Sequence, residues 1–73
     1  MLVKVDGGKF LAARKAKNLS QAIVAATADT TVRYVRDMEK GIKTNPSAAM
    51  VYRLSTVLEI PMEALMTVQQ EGE

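Results

Sequence analysis

Cysteine, histidine and tryptophan are all absent from this chain. Without cysteine no disulfide can staple the fold and no thiolate can hold a metal; without histidine, a zinc site would rest on carboxylates alone. The same absences remove the usual nucleophile–base pairs. No glycine-rich phosphate loop is present, and the acidic residues are not paired on one helix face as acid–base work requires. The expectation is therefore no enzyme, no cofactor, no metal and no small-molecule ligand. No apolar run approaches the ~20 residues of a membrane span, and Met1 to Val5 is far shorter than the apolar stretch of a signal peptide. A soluble, cytoplasmic protein is expected.

The chain has 73 residues, enough for one small domain with a thin core. Stability must then come from helix packing, helped by self-association. Five methionines fit a small core as flexible filler. The net charge of +2 is modest, but its distribution is uneven. All ten Lys and Arg lie in residues 1–53, against four acids there, whereas residues 54–73 carry four acids and no base. A basic body with an acidic tail suits an anionic polymer as partner.

Residues 20–41 carry the most information. They read as two short helices, Ser20 to Ala28 and Thr31 to Lys40, joined by a tight turn. Helices crossing at roughly 90–120° need a small residue at the contact, and Ala25 meets that need. Asp29 falls where positive φ is required, and a short polar side chain tolerates it. Thr30 or Thr31 can cap the second of these helices, and Ser20 caps the first. Val35 and Met38, three apart, share the face that packs back on the preceding helix. Gly41 is suited to the position just past a helix end. A helix that is apolar behind and rich in donors in front is what reading a DNA groove requires.

The rest of the chain organises around this pair. Residues 1–7 read as an arm that alternates weakly, either a short strand or an ordered tail, and Asp6-Gly7-Gly8 as a break whose Asp6 can cap the next helix. Lys9 to Lys17 is predicted as the first helix, with Phe10, Ala13 and Arg14 inward, and Leu19 plugs the core. Asn45-Pro46-Ser47 marks a helix start, with Asn or Ser as cap and Pro preset for the first turn. Ala48, Val51, Leu54, Ser55 and Leu58 trace the buried stripe of a fourth helix. Pro61 opens a short fifth helix to about Val68, burying Leu65, and residues 69–73 form a polar tail. With no credible sheet, the expectation is a compact, all-α, five-helix domain over residues 8–68.

In this order the chain resembles the helix-turn-helix domain of the Cro/CI-type phage repressors, the Xre family. The matching pieces are Arg14, Leu19-Ser20-Gln21, Val24-Ala25, Val35, Met38-Glu39-Lys40-Gly41, Asn45-Pro46-Ser47, Leu58-Glu59-Ile60 and Glu63-Ala64-Leu65. They run over roughly residues 8–66. The chain departs from the pattern with Asp29 in place of the usual Gly and with Thr27-Ala28 where a long aliphatic often sits. Apolar Leu11 and Ile23 also occupy normally polar positions, which hints at contact with Leu2, Val3 and Val5.

The resemblance implies a lambda-repressor-like fold and a sequence-specific transcriptional regulator of double-stranded DNA, a repressor that occludes a promoter. Its recognition helix, about residues 31–40, enters the major groove while the helix before it crosses the backbone. Thr31, Val32 and Arg33 are then the first candidates for base edges, with Arg33 suited to guanine O6 and N7 and Val32 to a thymine methyl. Arg36 and Asp37 lie one turn on; Asp37 either accepts from cytosine N4 or restrains an arginine. Tyr34 is open between core edge, phosphate and dimer contact. Phosphate contacts fall to Gln21, Lys40, Lys43, Thr44 and Asn45. The family pattern makes Arg14 and Glu39 a partly buried structural salt bridge. One recognition helix covers few base pairs, so a homodimer is expected, with Val57, Ile60, Met62 and Met66 as candidate contacts and Met50 as a lesser one. The alternative is an antitoxin or other protein-interaction module built on the same fold.

Overall fold

The computed structural model describes residues 2–43 and 45–69, with side chains over 4–43 and 45–67. In order these form β1 (Leu2–Val5), α1 (Gly7–Ala16), α2 (Gln21–Thr27), α3 (Val32–Glu39), α4 (Ala48–Leu58), a 3-10 turn at Met62–Leu65, and β2 (Met66–Gln69). Each α-helix starts at a short polar residue in extended conformation. Asp6, Ser20, Thr31 and Ser47 accept from the backbone N–H of Lys9, Ile23, Tyr34 and Met50 respectively. One otherwise orphaned donor per helix is satisfied in this way. Pro46 stands one residue ahead of the α4 cap, not within the first turn as the sequence suggested.

All four helices also end alike. Asn18, Asp29, Gly41 and Glu59 each take positive φ, between 58° and 80°. The amide after each one reaches back five residues, from Leu19 to Arg14, Thr30 to Ala25, Ile42 to Asp37 and Ile60 to Ser55. This Schellman geometry satisfies carbonyls that the helix leaves free. Asp29 thus adopts the left-handed conformation that the two-helix turn demands, with φ 60°.

The helices close around one core of Phe10, Val24, Ala25, Ala28, Val35, Met38, Met50, Leu54, Leu58 and Leu65. Ala25 sits at the α2–α3 crossing, 3% exposed, and Leu19 packs on the cluster's edge. Along α4 the buried stripe is Met50, Val51, Leu54, Ser55 and Leu58, so Met50 takes the inward position expected of Ala48, which is exposed.

The expected fifth helix is a single 3-10 turn followed by a strand. β2 pairs antiparallel with β1, placing Leu2 opposite Gln69 and Val5 opposite Met66. Met66-Thr67-Val68-Gln69 alternates apolar and polar, a period that suits a strand and not a helix. Asp6 carries the ladder one step further, its N–H donating to Leu65 O at 2.8 Å. Its side chain also accepts from Thr67 Oγ1 at 2.9 Å, and Lys9 Nζ donates to Met66 O at 3.1 Å. Among the described residues the domain is therefore a four-helix, mostly helical fold tied across its ends by a two-stranded ribbon. Among the described residues no helix is long and apolar enough to cross a membrane.

Gly7 and Gly8, read from sequence as a break, are instead the first turn of α1. A Cβ on Gly7 would stand 2.5 Å from Met38 O and 2.8 Å from Glu39 O. Only glycine lets the start of α1 approach the end of α3 this closely.

Candidate nucleic-acid interface

The eight residues of α3 divide into two faces because 3.6 residues complete a turn. Val35 and Met38 are fully buried against α2 and the core. On the opposite side, spaced for one face at i, i+3, i+4 and i+7, stand Arg33, Arg36, Asp37 and Lys40. Arg33, Arg36 and Lys40 are exposed, and the Arg33 side chain is 88% so. Asp37 is half-buried and lies within reach of Arg33, Nε to Oδ2 being 3.9 Å.

At the start of this helix Thr31 is exposed but spends its hydroxyl oxygen on the Tyr34 amide, at 3.1 Å. Val32 is half-buried and packs on the core, so it offers a groove only part of its surface. Tyr34 also packs on the core edge. Lys43 Nζ sits 5.9 Å from the centre of the Tyr34 ring, a cation–π distance. The exit loop is fixed by its backbone: the amides of Ile42 and Lys43 both donate to Asp37 O, at 2.9 and 3.1 Å. Lys40, Lys43 and Asn45 are exposed along it, and Thr44 lies outside the described residues.

Beneath this face, a hydrogen-bonded network holds α3 at a set depth. Arg14 Nε donates to Glu39 Oε2 at 2.5 Å and Nη2 donates to Glu39 Oε1 at 3.2 Å. Arg14 Nη1 meanwhile donates to Leu19 O at 2.7 Å. The two side chains are only 12% and 6% exposed. Gln21 joins from α2, its Nε2 donating to Glu39 Oε1 at 2.9 Å. Sequence reasoning gave Gln21 to phosphate alone; the structure ties one of its amide N–H groups to the protein, leaving the second as a donor. Three helices thus meet at one carboxylate.

Of the residues considered for self-association, Val57, Ile60 and Met66 are half-buried and pack against the domain's own core, Met62 is half-buried, and Met50 lies within the core. Ile23 is 53% exposed. The side chains of Leu2 and Val3, the contacts that its apolar character suggested, lie outside the described residues. Ile23 lines a cleft of about 450 Å³ between α2 and α4, together with Leu19, Thr27, Tyr52, Arg53, Thr56 and Val57. That cleft was missed from sequence, although Ile23 and Tyr52 at exposed helical positions were its available signal.

A helix-turn-helix family model matches residues 11–65, from α1 through the 3-10 turn. The chain belongs to the helix-turn-helix family. Two solved proteins are similar to this helix-turn-helix domain along most of their length. The restriction-modification controller protein C.AhdI from Aeromonas hydrophila is 32% identical, with TM-score 0.75, over 81% of this chain and 88% of that one. SinR, the master regulator for biofilm formation, solved in complex with DNA, is 28% identical, with TM-score 0.78, over 82% and 98%. The N-terminal DNA-binding domain of SinR from Bacillus subtilis is 27% identical, with TM-score 0.75, over 92% and 94%. No curated protein matches the chain.

Proposed function

We propose that this helix-turn-helix domain is a sequence-specific, double-stranded DNA-binding transcriptional regulator that sets α3 in the major groove. The observation that carries this reading is the division of α3: Val35 and Met38 lock it to the core while Arg33, Arg36 and Lys40 stand exposed on the opposite side. Similarity to SinR, solved with DNA, and to the controller C.AhdI supports it. In this reading Arg33 and Arg36 address base edges, with Thr31 and Val32 at the groove's near wall, and Lys40, Lys43, Thr44, Asn45 and Gln21 hold phosphates. The domain acts as a pair of copies on half-sites about one helical turn apart. Val57, Ile60, Met62 and Met66 are half-buried and retain area for that contact. Bound across a promoter, such a pair represses by occlusion.

Selection of binding sites from random duplex DNA tests the proposal, followed by titrations with two variants. Arg33→Ala relaxes preference at one base position, at ~1–3 kcal/mol. Lys43→Ala weakens binding to all sequences alike and reduces the salt slope by about one. Absence of binding to any duplex at low salt overturns the reading, as does equal loss on every sequence for both variants.

A further inference from the structure

The outward face of α3 contains one acid among its cations, and that acid is unfavourable there unless it reads something. Asp37 repels the phosphates that Arg36, Lys40 and Lys43 attract, so its carboxylate weakens sequence-independent binding. Paired at 3.9 Å with an Arg33 side chain that is 88% exposed, it adds little to folding. Its backbone is nevertheless well held, because Asp37 O accepts from both Ile42 and Lys43 in the loop that follows α3. The carboxylate therefore projects from a fixed point, one turn below Arg33 on the same face.

A G·C pair presents guanine N7 and O6 as acceptors and then cytosine N4 as a donor, side by side in the major groove. An A·T pair presents acceptor, donor, acceptor, and so lacks the two adjacent acceptors that a bidentate arginine needs beside a donor for the carboxylate. Guanine O6 and cytosine N4 are hydrogen-bonded to each other at about 2.9 Å. A donor and an acceptor standing 3.9 Å apart are spaced to meet both. We propose that Asp37 is a specificity-determining residue and that Arg33 and Asp37 read one G·C pair as a unit. Arg33 donates to guanine N7 and O6, and Asp37 accepts from cytosine N4. The inference rests on the groove placement of α3 proposed above.

The test uses the whole chain and a duplex obtained by selection. At the guanine identified by Arg33→Ala, the opposing cytosine is replaced by 2-pyrimidinone, which lacks the amino group and leaves the guanine in place. Affinities of the wild type and Asp37→Ala are read by fluorescence anisotropy, with thermal melts confirming that the variant folds. The wild type is expected to lose about tenfold on the analogue, the scale of one hydrogen bond to a charged group. Asp37→Ala is expected to bind both duplexes alike while binding unrelated duplex slightly more tightly. Equal losses for wild type and variant on the analogue overturn the inference and reduce Asp37 to a restraint on Arg33. A selected site with no G·C pair sensitive to Arg33→Ala overturns it too, leaving DNA binding standing. A wild type that binds no duplex in low salt removes both readings.

Discussion

Gly7 and Met38 are the point where the first helix touches the end of the recognition helix, and the contact leaves no room for a methyl group. A Cβ at Gly7 would lie 2.5 Å from Met38 O, against backbone that cannot rotate away. Gly7→Ala should therefore push α1 and α3 apart and cost ~1–3 kcal/mol, the range of overpacked cores. Gly8→Ala is the control. Its Cβ would meet only Asp6 Oδ1, at 3.3 Å, and alanine favours helix over glycine by up to ~1 kcal/mol. Urea unfolding should show a lowered midpoint for the first variant and an unchanged or raised one for the second; equal midpoints would contradict the close approach.

Glu39 is a more sensitive position still. Glu39→Ala takes the counter-charge from the Arg14 guanidinium, whose side chain is 12% exposed in the intact pair, and strips Gln21 of an acceptor. A buried cation without its counter-charge costs ~3–5 kcal/mol, a large share of the ~5–15 kcal/mol that holds a small domain together. The double variant Arg14→Ala, Glu39→Ala should lose less than the sum of the two single changes, because it removes the stranded charge. Additive losses in a denaturant series would mean that the pair is solvated.

These two contacts also mark what was legible in the sequence. Caps at Ser20 and Thr31 and the left-handed Asp29 are local: each depends on residues three to five positions away, so the pattern alone locates them. The β1–β2 ribbon is not local. Val5 meets Met66 across 61 positions, and Met66–Gln69 is too short to declare itself against a preceding proline that suggests a helix start. The role of Gly7 was hidden for the same reason, since its cause is a carbonyl on another helix. At the interface, the exposed Arg33 and Arg36 followed from the periodicity of α3. The capture of one Gln21 N–H by Glu39 did not, because it needs the depth at which α1, α2 and α3 meet.

Asp29 offers a gain in place of a loss. A residue with a Cβ in left-handed conformation is strained by roughly 1–2 kcal/mol, somewhat less for Asp. Glycine removes that strain but adds about 0.4–1 kcal/mol of freedom to the unfolded chain. The difference leaves Asp29→Gly stabilised by about 0.5–1 kcal/mol, since the carboxyl of this exposed residue makes no hydrogen bond among the described residues. A thermal melt should rise by a few degrees with DNA affinity unchanged. A fall would show that Asp29 stabilises the turn through its side chain.

Acid should loosen the ribbon and the start of α1 before α3. The Asp6 carboxyl is held below its ordinary value of 3.8, first by the Lys9 amide that it caps and then by the Thr67 hydroxyl. Its charged form is thus favoured in the folded state, and the unfolded chain binds the proton more readily. Stability from this group is fully present above pH of about 4 and is lost as pH falls through the lower folded value. Asp6→Asn keeps a capping oxygen without titrating there. Amide exchange at residues 2–5 and 66–69, followed from pH 5 to pH 2.5 and corrected for intrinsic rates, should accelerate in the wild type relative to α3. In Asp6→Asn that pH dependence should be reduced. If ribbon and α3 lose protection together in the wild type, Asp6 is not the joint between the two chain ends.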